Sequence, residues 1–541
     1  MHLQIKPLSY PMHKLKSVRT IEQQVAASKV HNSNYRSICV NSFSAPAIPV
    51  ATVFKGLVTS TSAKSNNCRK GLCLNFISRR HRLPLSPGDL TAIAATLAKK
   101  CPNLKRLTIA LDDPSHQISN TDAKNFALAV KKMKHLEVLT LDFMDEIMAS
   151  EYAVAKLIGI GRPARELKEF NLILDEEVEF GHLAWVSLAS SLKHKVNLTR
   201  LTIVAENAMT HQHLLTLAPA LATLAKLTFL DLCFSFHWGY HGLTELSDSL
   251  ASLANLKQLK LDLLSVGDAV EDDASMEISD QEVVQLATAI GNLAQLACLS
   301  LMLMPGYELT NISLESLGAN LAKLTNLTKV YLTLDSGELG EGSKHLSASG
   351  IKMLMSGLHN QTNLTTLNVW LRGGMQLEPV AYFYLAKSNP NLTTYSLQLY
   401  SLSFSDSCFQ ALATGLGELS NLKHLELKVV TAQELALNGL IAMINSLYRL
   451  HALQTIDIIL IVIQIPQNEL IDVKLLQARM EHSRDILPNL QRFSLELWPG
   501  QYNVKNYCKI EVKRSPPNYR WQTDTITHKN NQSASLQRKV V

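Results

Sequence analysis

Five residues have the chemistry of a recognition surface: Met302, Tyr331, Trp370, Arg372 and Tyr400. Tyrosine, tryptophan and arginine combine a broad apolar or planar group with a polar end. Truncating one at a protein interface commonly costs about 2 kcal/mol or more. The five fall on four successive segments of alternating apolar and polar residues, all on the parity that faces away from the leucines. A second group is acidic. Asp112, Asp142, Asp175 and Glu206 close the early segments, with Asp113, Asp145, Glu146, Glu176, Glu177 and Glu179 beside them. Such a rim suits a basic partner or the chain's own basic ends. Nothing in the chain has the form of a GxSxG elbow, a phosphate-binding Walker loop, an HExxH helix or a kinase motif set. The expectation is a protein that binds and does not catalyse.

The elements that must hold these residues repeat. Leu104-Lys-Arg-Leu107-Thr-Ile109-Ala-Leu111 has the same pattern as Leu136-Glu-Val-Leu139-Thr-Leu141-Asp-Phe143, and as Leu256-Lys-Gln-Leu259-Lys-Leu261-Asp-Leu263. The leading residue recurs at Leu104, Leu136, Leu167, Leu198, Leu227, Leu256, Leu296, Leu327, Leu364, Leu392, Leu422, Leu453 and Leu490. Leu72-Cys-Leu74-Asn-Phe76 reads as an incomplete first unit, which makes about fourteen. After each leading leucine the apolar residues alternate, which predicts a strand with one buried face. Between strands they fall three and four apart, as at Leu246, Leu250 and Leu253, which predicts a helix. An asparagine precedes the leading leucine at Asn103, Asn197, Asn255, Asn326, Asn363, Asn391, Asn421 and Asn489. Asparagine tolerates the left-handed conformation that ends helices, so it suits the helix-to-strand corner. The N-x-T and N-x-S matches, four of which arise from this corner, read as structural.

One strand and one helix every 28–32 residues in most units is the arithmetic of the leucine-rich repeat. The chain resembles that family over residues 71–498, and its long helical half resembles the ribonuclease-inhibitor-like subclass. The resemblance implies an α/β solenoid, a horseshoe with parallel strands on the concave face and helices on the convex face. No unit buries its own strand, so stacking supplies the core. One departure stands out. The family often places Asn or Cys five residues after the second leucine, where a hydrogen-bonded ladder forms. Here that place holds Asp112, Met144, Asp335, Tyr400 and Trp498 among others, so the turn after the strand must be held in another way. Longer spacings locate insertions at Ser265–Asp280, Ser336–Gly350 and near Gln464–Arg484.

The repeat geometry also bears on the histidines. His211 with His213, and His237 with His241, have ligand-like spacing, and His182 lies one unit earlier. Helices packed about 10 Å apart separate such side chains too far for one zinc ion, whose bonds are about 2 Å. They read as surface or helix-capping histidines, and neither metal nor cofactor is expected.

Charge divides the chain into three. Residues 1–70 carry ten Lys/Arg against Glu22 alone, and residues 499–541 carry eight against Glu511 and Asp524. With a total of +6, the body is left at −9. The expected organisation is a basic, mostly disordered segment at 1–70, the solenoid at 71–498 and a basic tail at 499–541. Eight cysteines without a CxxC pair argue against a disulfide framework or a zinc ribbon. No apolar run is long enough to span a membrane. The expected role is a scaffold that binds a partner protein on its concave face, in the cytoplasm. Similarity to bacterial leucine-rich-repeat effectors extends this to a secreted protein acting on a host protein in the host cytosol. Two alternatives accompany it: binding of nucleic acid or an anionic membrane through the basic ends, and substrate recruitment for a ubiquitin ligase. Against the latter, Leu83-Pro84-Leu85-Ser86-Pro87 leads into a repeat helix and not into an F-box. Neither nucleic acid nor membrane is the expected main partner. The Ser-rich, nearly acid-free start also fits an organelle transit peptide as a secondary reading.

Overall fold

A computed structural model describes residues 38–39, 72–77, 87–100, 103–112, 117–143, 148–159, 166–174, 180–236, 243–265, 279–303, 309–335, 346–372, 377–400, 404–431, 437–462, 473–499, 508–515, 520–527 and 535–540. Asp175, His237, His241 and most of the three insertions lie outside them.

The repeat becomes a ladder. Fourteen strands pair in parallel and in chain order: Leu72–Ile77, Arg106–Asp112, Val138–Phe143, Glu169–Leu174, Arg200–Met209, Phe229–Phe236, Gln258–Ser265, Cys298–Leu303, Lys329–Asp335, Thr366–Arg372, Thr394–Tyr400, His424–Thr431, Thr455–Val462 and Arg492–Pro499. A helix joins each to the next, thirteen among the described residues, from Asp89–Lys100 to Val473–Ile486. Register is kept by the leucine pattern. Leu299 lies opposite Leu259 and Val330, and Val330 opposite Leu367. A one-residue slip would turn every core side chain to solvent. The ladder has one irregularity, between Ala205 and Ala208. This is the α/β leucine-rich-repeat solenoid, with an open sheet on one side and helices on the other.

The core lies between the two layers. All thirteen leading leucines are buried, as are the strand residues that face the helices. The strand Cys298–Leu303 alternates half-buried and buried at every step, so Cys298, Ser300 and Met302 point away from the helices. Helices of neighbouring units are bonded at their starts. The Leu183 amide donates to Glu151 Oε1 at 2.7 Å, and Asn311 exchanges bonds of 3.0 Å with the Ser347 backbone amide and hydroxyl.

The asparagine before the leading leucine is used across units. Asn255, Asn326, Asn363, Asn421 and Asn489 each donate from Nδ2 to a main-chain carbonyl one unit back: Ala225, Ala294, Thr325, Pro390 and His451, at 2.9–3.0 Å. The threonine two residues later repeats the device. Thr328, Thr365 and Thr393 donate to the carbonyls of Ala297, Thr328 and Thr365. A side-chain ladder therefore exists at the corner before the strand. It also accounts for three of the N-x-T matches, whose polar side chains are already bonded.

The ends carry strands as well. Ile38–Cys39 pairs in parallel with the first ladder strand. Within 499–541, where a tail is expected, Cys508–Ser515, Arg520–Thr527 and Ser535–Val540 continue the sheet in antiparallel pairing. Ile510 and Val512 are fully buried in the core, which explains why this first antiparallel strand adheres. No helix among the described residues is long and apolar enough to cross a membrane.

Candidate protein-binding surface on the open face of the sheet

On the face turned away from the helices, strand register brings the sequence-selected residues into one area. Tyr331 lies opposite Ser300 and Asn368, and Trp370 opposite Thr333 and Gln398. Met302 lies opposite Thr333 and is half-buried. The Trp370 and Tyr400 ring centroids are 5.9 Å apart, and Lys428 Nζ stands 5.5 Å from the Tyr400 centroid. Arg372 Nε approaches Asp335 Oδ2 at 3.4 Å on the neighbouring strand.

These residues are not equally offered. Tyr331 is 36% exposed, whereas Trp370 is 9% exposed. Trp370 therefore acts as a packed floor against which Tyr400 is held, and Tyr331 and Arg372 project. Partial burial pushes the Tyr331 hydroxyl above the usual tyrosine range.

A charged cluster adjoins this area. Lys260 Nζ lies 2.6 Å from Asp262 Oδ2 and 3.4 Å from Asp231 Oδ1. Burial alone would favour the neutral amine. The two carboxylates outweigh it and hold the ammonium above the usual lysine range. Asp231 is pushed up by its burial, with Lys260 opposing. The sequence shows these residues on the outward parity, but their grouping depends on cross-strand register, which no single unit reveals.

The acidic rim is less complete. Asp142 is half-buried on Val138–Phe143, Asp112 ends the strand Arg106–Asp112, and Glu206 lies in Arg200–Met209. Asp175 is outside the described residues.

Among the described histidines, His182 and His213 belong to the helix layer. His213 Nδ1 accepts from the Thr210 amide at 3.2 Å, and its ring stacks 5.6 Å from Trp185 and 5.9 Å from His182. Burial, reinforced by His182, lowers its pKa, and Glu151 acts in the other direction. Among the described residues no three His, Cys, Asp or Glu side chains are grouped so as to hold a metal ion.

No protein-family profile and no curated protein matches the chain. A solved structure, the crystal structure of the Rad7 and Elc1 complex in yeast, is similar over 84% of this chain and 95% of that one. The identity is 15% and the TM-score 0.36.

Proposed function

We propose that the chain is a non-enzymatic scaffold that binds a partner protein on the open face of the sheet, centred on Met302, Tyr331, Trp370, Arg372 and Tyr400. The observation that carries this reading is the exposure of Tyr331 beside a preassembled Trp370–Tyr400 pair. A large aromatic group held in place by a rigid sheet loses little entropy on binding and contributes strongly to affinity. The repeat length supports the ribonuclease-inhibitor-like subclass, a resemblance that implies a binding or inhibitor role. Substrate recruitment for a ubiquitin ligase, and action as an effector on a host protein, are specific forms of the same scaffold role.

The test is quantitative partner capture from native cells with wild type and Tyr331→Ala side by side. A partner whose recovery depends on Tyr331 is expected. Equal recovery of every partner by a Tyr331→Ala variant of unchanged melting temperature would end this reading. Capture that declines steeply with salt and ignores Tyr331 points to the basic ends instead.

A further inference from the structure

We propose that the central open face takes an acidic peptide segment bearing a bulky apolar residue, a refinement that rests on the protein-binding role assigned to the same surface. The inference comes from how charges are layered there. The Asp335 side chain is 3% exposed while that of Arg372, its ion-pair partner, is 35% exposed. Asp231 and Asp262 are 10% and 12% exposed, against 33% for Lys260. Each acid lies underneath and each cation lies on top. Lys329, two residues before Tyr331 on the same strand, is exposed, and Lys428 is half-exposed over the Tyr400 ring. Glu426, two residues before Lys428 on the same strand, is an exposed acid within this set, and its carboxylate accepts from the Ser396 hydroxyl at 3.0 Å.

Apart from Glu426, an approaching side chain therefore meets ammonium and guanidinium groups first. A partner carboxylate is attracted, and a partner lysine or arginine is repelled. The frame also has a size. Lys260 and Lys428 stand five strands apart, about 24 Å at the usual strand spacing, with Lys329 and Arg372 between them. An extended peptide of about seven residues spans that distance. A nucleic acid fits less well. Its phosphates would run past the frame over a body of net charge −9, whereas a short peptide ends within it.

The experiment titrates the full-length protein, by fluorescence anisotropy, with two pools of labelled peptides of about twelve residues. Both pools carry the same central leucine or phenylalanine. One draws its remaining positions from Asp, Glu, Gly and Ser, the other from Lys, Arg, Gly and Ser. The acidic pool is expected to bind about tenfold more tightly. Tyr331→Ala, and the pair Lys329→Glu with Lys428→Glu, should each weaken it about tenfold. Lys124→Glu, on the exposed side of a helix, should not. Tighter, Tyr331-dependent binding of the basic pool overturns the acid preference and leaves the scaffold role intact. Binding of neither pool overturns the peptide proposal, while the scaffold role is judged separately by Tyr331-dependent partner capture. Binding of a labelled oligothymidylate more tightly than the acidic pool, lost in the Lys329→Glu and Lys428→Glu variant, overturns it in favour of nucleic acid.

Discussion

Where the helices Asn311–Leu321 and Ala348–His359 meet, main chain touches main chain. On the other side of the same units Tyr331 and Arg372 reach solvent. A Cβ at Gly357 would stand 2.0 Å from the Gly318 carbonyl oxygen, and one at Gly318 would stand 2.3 Å from that of Met353. The helix layer thus permits no added atom at this contact, while on the open face Tyr331 follows Gly318, and Trp370 follows Gly357, by thirteen residues. The contrast teaches that one unit divides its work: helix packing fixes the unit, and the sheet's outward parity is released for recognition.

The contrast can be broken most forcefully at Gly357. Alanine has the better helix propensity by about 1 kcal/mol, but the clash with Gly318 involves backbone and cannot be relieved by a rotamer. Overpacking should win, with a net loss of about 2 kcal/mol or more, read as a lower melting temperature. An unchanged or raised melting temperature would show that the helices separate freely.

Lys195 tests the layer in the opposite direction, because it occupies a place that leucine fills in other units, such as Leu224 and Leu253. It is fully buried, 5.4 Å from the Phe170 ring centroid, and donates to Ser191 Oγ at 2.7 Å. Burial lowers its pKa to about 7. Between pH 7 and the ordinary lysine value the unfolded chain holds a proton that the folded one has released, so stability contributed by this site rises with pH. Relative to a Lys195→Met variant, wild type should gain up to about 1.4 kcal/mol per pH unit across that window. The variant should be the more stable of the two at pH 7. Parallel stability curves from chemical unfolding would remove the charge from the explanation.

The corner ladder gives a smaller effect. Asn363→Ala removes a 2.9 Å bond to the Thr325 carbonyl at an exposed site, an expected loss of about 1 kcal/mol, with faster amide exchange in the two flanking units. Smallest of all, Tyr331→Ala should alter stability by less than about 0.5 kcal/mol while reducing partner affinity. If its melting temperature instead dropped as far as that of the Gly357 variant, the division between the two layers would collapse.

The sequence discloses the ladder because two periods, two and about 3.6, alternate on a fixed spacing, and every leading leucine is buried where that pattern requires. The five candidate residues share a face for the same reason of parity. Parity does not disclose how far each is covered. Trp370 and Tyr331 have the same outward sense, yet the tryptophan packs against Tyr400 while the tyrosine has Ser300 and Asn368 as flat neighbours. The asparagine corner was readable as a corner, but its bond runs to a carbonyl some thirty residues back, beyond the reach of local propensity. The alternation in Lys509-Ile510-Glu511-Val512 carried a strand signal that lay outside the leucine register.

The corner bonds give the array a grammar of interchangeable words. Each bonded corner asparagine asks only for the same carbonyl in whatever period precedes it, and Asn391 and Asn421 reach back 29 and 31 residues to find it. A whole period can therefore be lost or duplicated with the syntax intact. The span of the partner-facing surface then changes in steps of one strand while every remaining junction stays as it was.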